Sequence, residues 1–162
     1  MSLAVVFSRA QLGARAPLVT VEAHLANGLP ALSIVGLPET AVKESRERVR
    51  SALVHSGFDF PPRRITINLA PADLPKQGGR YDLAIALGIL AASQQIPADA
   101  LGNYEFIAEL ALGGTLRPVR GILPGALASA EQKRQLVCAT ENGNEATLIN
   151  PGAARVAGHL LE

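Results

Sequence analysis

The chain has 162 residues, 48% of them apolar and 18% charged, with a formal net charge of +1. That is the length of one domain, and the composition excludes a disordered, solvating tail. The longest apolar run, Leu83 to Ala92, falls short of the roughly 20 residues a bilayer span needs, and a lone Cys138 excludes an internal disulfide framework.

Leu3 to Phe7 predicts a first strand, and Leu18 to Leu25, rich in β-branched residues, a second. Asn27-Gly28 reads as a hairpin turn leading into a return strand at Ala31 to Val35, because both residues tolerate positive φ. Leu37-Pro38-Glu39-Thr40 opens a helix, with proline where its missing N–H is harmless, and Gly57 follows its expected end at about His55. Val42, Ser45, Val49, Ala52 and Leu53 form its narrow buried stripe.

After a proline-bearing connection, Ile65 to Leu69 predicts a strand, and Ala70 to Arg80 a loop with two prolines and two glycines. The helix from Tyr81 to about Gln94 is apolar nearly all round and is expected to be buried. Phe106 to Leu112 and Thr115 to Val119 read as strands joined by a Gly113-Gly114 turn. A helix over Ile122 to Lys133 and a buried strand at Leu136 to Ala139 follow. Short helices are expected near Asn144–Leu148 and Ala153–Leu160. The fold class is α/β (α+β), one domain over residues 1–160, with a mixed sheet and an antiparallel opening hairpin.

Several chemistries have no residues to carry them. Neither Gly78-Gly79 nor Gly113-Gly114 is followed by Lys-Ser or Lys-Thr, so there is no Walker A loop, and no G-x-S-x-G occurs. His24, His55 and His159 stand far apart without a cysteine cluster, so no metal site is expected. Cys138, in an apolar strand, reads as a core thiol. The scattered carboxylates Asp73, Asp82, Glu105 and Glu109 do not pair by spacing.

Positive charge is unevenly placed. Between Lys43 and Arg80 there are eight basic and four acidic residues, so this stretch carries +4 in a chain of +1. Arg46 and Arg50 fall one turn apart on a helix, Arg63-Arg64 precede a strand, and Lys76 and Arg80 flank the Gly-rich loop. That loop, ahead of a buried helix, makes an anion site if its N–H groups are free. Alternatively, Asp82 caps the helix itself and the glycines only turn the chain.

Three blocks carry a family resemblance: Gly36-Leu37-Pro38-Glu39-Thr40-x-Val42-Lys43-Glu44, Arg48-Val49-Arg50-Ser51-Ala52, and Ile65 through Lys76 continuing as Gly78-Gly79-Arg80-Tyr81-Asp82-Leu83. With Ala108 to Leu112 they make the chain resemble, over essentially its whole length, the N-terminal domain of the ComM/YifB family. These are magnesium-chelatase-subunit-I-like ATPases of the AAA+ class. The resemblance implies a fold like the proteolytic domain of Lon, of the ribosomal protein S5 domain 2-like type. It also implies an AAA+ ATPase domain downstream holding ATP and magnesium, a hexamer, and DNA branch migration in natural transformation.

Lon-type peptidases use a Ser–Lys dyad. The resemblance places Arg80 at the serine position and Leu123 at the lysine position, and neither side chain can do that work. The chain is therefore expected to be non-catalytic and to need no cofactor of its own. Lon-like domains also set the segment bearing Arg117 and Arg120 beside the Gly-rich loop. The expected DNA-phosphate ligands are then Arg46, Arg50, Arg63, Arg64, Lys76, Arg80, Arg117 and Arg120. The expected partners are DNA without sequence preference, the chain's own ATPase domain and neighbouring subunits; no membrane partner is expected, and the expected location is cytoplasmic. The competing expectation is a structural collar, in which the arginines meet Glu105, Glu109 or Glu131 of a neighbouring subunit.

Overall fold

The computed structural model describes residues 2–36 and 38–162, so Leu37, read above as part of a helix entry, lies outside the described residues. Strand β1 (Ser2–Arg9) and β2 (Leu18–Ala26) form an antiparallel hairpin, Ser2 facing Leu25 and Arg9 facing Leu18. Strand β3 (Ala31–Val35) is followed by α1 (Thr40–Lys43), α2 (Ser45–His55) and β4 (Arg64–Ala70). Helix α3 (Asp82–Ala92) leads to β5 (Tyr104–Ile107) and the small hairpin β6 (Glu109–Leu110) and β7 (Leu116–Arg117). The chain ends through α4 (Ile122–Glu131), β8 (Gln135–Ala139), α5 (Gly143–Ala146) and β9 (Ala154–Ala157).

Seven strands pair in the order β3-β4-β2-β1-β5-β8-β9, and β6 and β7 pair separately. Within the seven-stranded sheet, among the described residues, only the contacts of β2 with β1 and β4 are antiparallel, so β2 runs against its other six strands; the separate β6–β7 pair is antiparallel too. The mixed α/β class and the antiparallel opening are as expected, but the Asn27-Gly28 hairpin is not. Strand β3 pairs in parallel with β4, Leu32 beside Ile65, and β4 fills the edge of β2 that β3 would have taken. A parallel pair needs a crossover, which α1 and α2 supply.

Alternation in β2 and β4 puts Val19, Val21, Ala23, Leu25, Ile65, Ile67 and Leu69 on one face, all fully buried. Helix α3 packs on that face against β1 and β2, and every one of its residues except Leu87 is buried, as an all-round apolar sequence requires. Val42, Ser45, Val49, Ala52 and Leu53 are all buried as the stripe predicted. The single expected helix, however, is interrupted at Glu44, whose carbonyl accepts the Glu47 N–H in a tighter turn. Helix α4 packs against β5 and β8 around a second cluster of Ile107, Ile122, Ala126, Leu136 and Cys138. Burial pushes the Cys138 thiol up to about 11, that of an inert core residue.

The segment expected as a helix at Ala153–Leu160 contains β9 instead, parallel to β8 with Leu136 beside Ala154. Its strand length is short, and the open edge of β8 decides its state where propensity does not. Among the described residues, no helix is long and apolar enough to cross a membrane.

Candidate nucleic-acid interface

The structure divides the eight basic candidates among separate places. Arg46 and Arg50 on α2 and Arg63 ahead of β4 line one groove of about 820 Å³, floored by Leu32, Phe58 and Phe60. Arg46 and Arg50 are exposed and Arg63 half-buried. The Arg50 guanidinium stands 5.5 Å from the centre of the Phe60 ring, a cation–π arrangement that holds the charge over the groove. Phe58 and Phe60 are half-buried and pack on the main core, so they anchor this loop while keeping part of each ring at the surface. Glu47 and Asp59 line the same groove, leaving an excess of one positive charge. Arg64, one residue after Arg63, is exposed on β4 opposite Ala26 and Ala31 and does not line the groove. The Arg63-Arg64 doublet is split between two faces.

Lys76 departs from the expectation. It was expected at the surface of the Gly-rich loop and is fully buried, its ammonium donating to the Gly36 carbonyl at 2.6 Å and to the Pro71 carbonyl. Burial pulls its pKa below the ordinary lysine value. Gly36 is required here, since φ is +110° and a Cβ would collide with the Leu69 carbonyl. Lys76 therefore ties the β3 end to the loop instead of facing a ligand.

Arg80 is also buried, only 8% exposed. Its Nη1 donates to the Arg120 carbonyl at 3.3 Å, which brings the Gly-rich loop and the 118–120 segment together as the resemblance implied. Asn142 clamps that segment, accepting the Val119 N–H and donating to the Val119 carbonyl, both at 3.0 Å. Arg80 and Arg120 line a shared cavity with Gly78, Gly79 and Glu109. Arg117, exposed, is instead opposite Glu109 in the β6–β7 pair and borders a shallow depression with Glu141. Leu123 is half-buried at the start of α4, its N–H donating to Glu145 at 3.1 Å.

Neither sequence reading of the α3 entrance holds unchanged. Asp82 does not cap the helix; its carboxylate turns to Arg48 (Nε 2.6 Å), to the Ser45 hydroxyl and to the Leu110 N–H (3.1 Å). Burial drives its pKa up, and those three donors only partly offset it. The Gly78 N–H is not free for a ligand, because it donates to Glu39 at 2.7 Å. Gly79 meets the Glu109 carboxylate where a Cβ would lie.

A buried polar cluster escaped sequence reading. Glu105 takes Arg9 side-on, Nε at 2.6 Å and Nη2 at 2.9 Å, along with Arg134 at 2.9 Å and Ser129 at 2.7 Å. Burial raises the Glu105 carboxyl, but these donors outweigh it and hold the pKa below the ordinary value. Glu105 was one of the acids expected to meet a neighbouring subunit; it is fully buried and already paired, so it is removed from that set. The available signal was its place in β5, between the apolar Tyr104 and Phe106 of an interior strand.

A mixed sheet with a Gly-rich loop at the entrance of a buried helix defines a Lon-like, ChlI-type α/β domain. The family model described as subunit ChlI of Mg-chelatase matches residues 21–142, and the chain belongs to that family. It is 56% identical over 162 residues to competence protein ComM of Haemophilus influenzae, a match covering 100% of this chain and 32% of that protein. It is 53% identical over 160 residues to protein YifB of Escherichia coli, covering 99% of this chain and 32% of that protein. A Mycobacterium tuberculosis protein, Rv2897c, is 42% identical over 151 residues, covering 93% and 30%. The chain thus spans about a third of the length of these relatives.

Proposed function

We propose that this domain holds nucleic-acid phosphates, without reading sequence, as the N-terminal part of a ComM-type ATPase acting in DNA uptake and recombination. The observation that carries the reading is the groove in which Arg46, Arg50 and Arg63 converge beside half-exposed Phe58 and Phe60. Guanidinium groups suit phosphate oxygens, and part-exposed rings accept bases of a single strand by stacking. The name of the Haemophilus influenzae relative, a competence protein, supports the same direction. Branch migration would belong to the full-length, hexameric assembly, where several such grooves act together.

In this reading ATP and magnesium are bound by the remaining part of the longer proteins. The residues of this chain do not fit a nucleotide-phosphate loop: the Gly78 N–H is occupied by Glu39, and Lys76 is buried against carbonyls. Peptide hydrolysis has no agent at the two positions in question, since Arg80 carries no hydroxyl to attack a carbonyl and Leu123 no group to accept its proton.

Fluorescence anisotropy of labelled single- and double-stranded oligonucleotides, at about 50 and 200 mM salt, tests the proposal. Binding that falls steeply with salt supports it. Absence of binding in both this chain and the full-length protein, with oligomers seen by sedimentation, would replace it with the collar reading.

A further inference from the structure

Arg9, Arg48 and Arg80 are arginines of low exposure at the joints of this fold, and the first two use the same edge. Arg9 presents Nε and Nη2 to the two oxygens of Glu105, and Arg48 presents Nε and Nη2 to the two oxygens of Asp82. This is the side-on fork by which a guanidinium grips an oxyanion at two points. In Arg80 only Nη1 is engaged, by the Arg120 carbonyl; Nε and Nη2 are buried and have no hydrogen-bond partner among the described residues. An ionised fork buried without an acceptor is costly, and burial pulls the Arg80 pKa below its ordinary value.

Arg80 lines a cavity of about 470 Å³ together with Gln11, Gln77, Glu109 and Arg120. Gln11, Gln77 and Arg120 are exposed at its mouth, and all three supply N–H donors. Glu109 borders the cavity without making an ion pair to Arg80, so Arg80 and Arg120 against Glu109 leave one positive charge uncompensated. Tyr81, pushed up to about 12 by burial, stays neutral.

We infer that this cavity is a phosphate-oxyanion site, in which the Nε and Nη2 of Arg80 grip two phosphate oxygens and Arg120 and the Gln77 amide close over the others. A phosphodiester brings the one negative charge the cavity lacks and two unesterified oxygens, the number an empty fork accepts. The source is either a nucleic-acid strand, which rests on the reading above, or free phosphate, which does not.

The test uses inorganic phosphate and a thymidine hexanucleotide against the chain in chloride buffer of matched ionic strength. Phosphate is expected to raise the melting temperature and to shift the Arg80 Nε–H resonance, assigned by its loss in Arg80→Met. Arg80→Met should abolish the phosphate-dependent rise while melting no lower than the parent in chloride, because it removes an uncompensated buried charge. Gln77→Glu, an exposed change that places a negative charge at the mouth, should weaken phosphate binding by about tenfold, and decides the matter if Arg80→Met does not fold.

No response of the parent to phosphate, with Arg80→Met melting well below it, would overturn the inference and make Arg80 a structural residue. Phosphate binding unaltered by Gln77→Glu would overturn it too. Hexanucleotide binding that phosphate does not compete and neither variant weakens overturns this site while leaving the groove reading intact. Phosphate binding without hexanucleotide binding supports the site and assigns it to free phosphate.

Discussion

Arg48 and Asp82 meet across α2 and α3 with Nε and Oδ2 2.6 Å apart, and Asp82 is fully buried while the arginine side chain keeps 20% exposure. Asp82 lies one residue after Tyr81 and two after Arg80, so the pair fixes where the Gly-rich loop enters α3. Ser45 and the Leu110 N–H converge on the same carboxylate, tying the β6 strand to that point as well. Asp82→Ala strips three donors of their acceptor at once. The expected loss is about 3 kcal/mol, at the lower end for a broken buried pair because Arg48 reaches water. Denaturant midpoints of the parent and the variant measure it, and a loss below about 1 kcal/mol contradicts the structure.

The two buried carboxyls titrate with opposite signs. Glu105 has a folded pKa below its ordinary 4.5, so its contribution is fully present above that value and is lost as pH falls through the lower folded one. The stability gap between the parent and Glu105→Gln should therefore narrow on acidification below about 4.5. Asp82 is held above its ordinary 3.8, so the folded chain binds that proton more tightly than the unfolded one. Its contribution is greatest at low pH and shrinks as pH rises through the window above 3.8. Chemical denaturation at a series of pH values for Glu105→Gln and Asp82→Asn separates the two; parallel curves for both variants would contradict the assignment.

Lys76→Met distinguishes a buried strut from a surface ligand. Two carbonyls, of Gly36 and Pro71, lose their donor. The expected cost is about 1–3 kcal/mol of stability with oligonucleotide affinity unchanged. A variant of parental stability with weakened DNA binding would return Lys76 to the surface set.

Gly36→Ala meets both a positive φ and the Leu69 carbonyl. Backbone strain of about 1–3 kcal/mol is expected, with the clash in addition, so the melting temperature should fall clearly. Gly57→Ala, with positive φ but open space around the would-be Cβ, should fall less. Thermal unfolding of the two variants side by side checks the ordering.

Strands and helices with local signatures were legible. The alternation of Ile65, Ile67 and Leu69, the all-apolar α3 and the small-residue stripe of α2 each announce which face is buried. What sequence could not convey was choice of neighbour. Asn27-Gly28 looks like a hairpin because turn chemistry is local, but β4 competes for the same edge of β2 from about forty residues away and wins it. Ala154–Ala157 is similarly a strand only because β8 offers an edge.

The candidate site was legible in part. Arg46 and Arg50 share a groove because helical spacing brought them together, and Arg63 joins them through the fold. Charge counting assigned Lys76 and Arg80 to the surface, whereas each is buried by partners distant in sequence, Gly36 in one case and Arg120 in the other. The burial of Glu105 had a local signal in its apolar strand neighbours, but its partners did not: Arg9 and Arg134 lie 96 and 29 residues away.

The most direct measurement of the central claim is the salt dependence of oligonucleotide binding by the parent and by the double variant Arg46→Glu, Arg50→Glu. Both side chains are exposed and make no ion pair among the described residues, so the fold is expected to survive. The account predicts affinity at least about tenfold weaker at 50 mM salt and a slope of log affinity against log salt shallower by about 1.4–1.8, for two lost phosphate contacts. An unchanged affinity and slope in a variant of parental stability would contradict it.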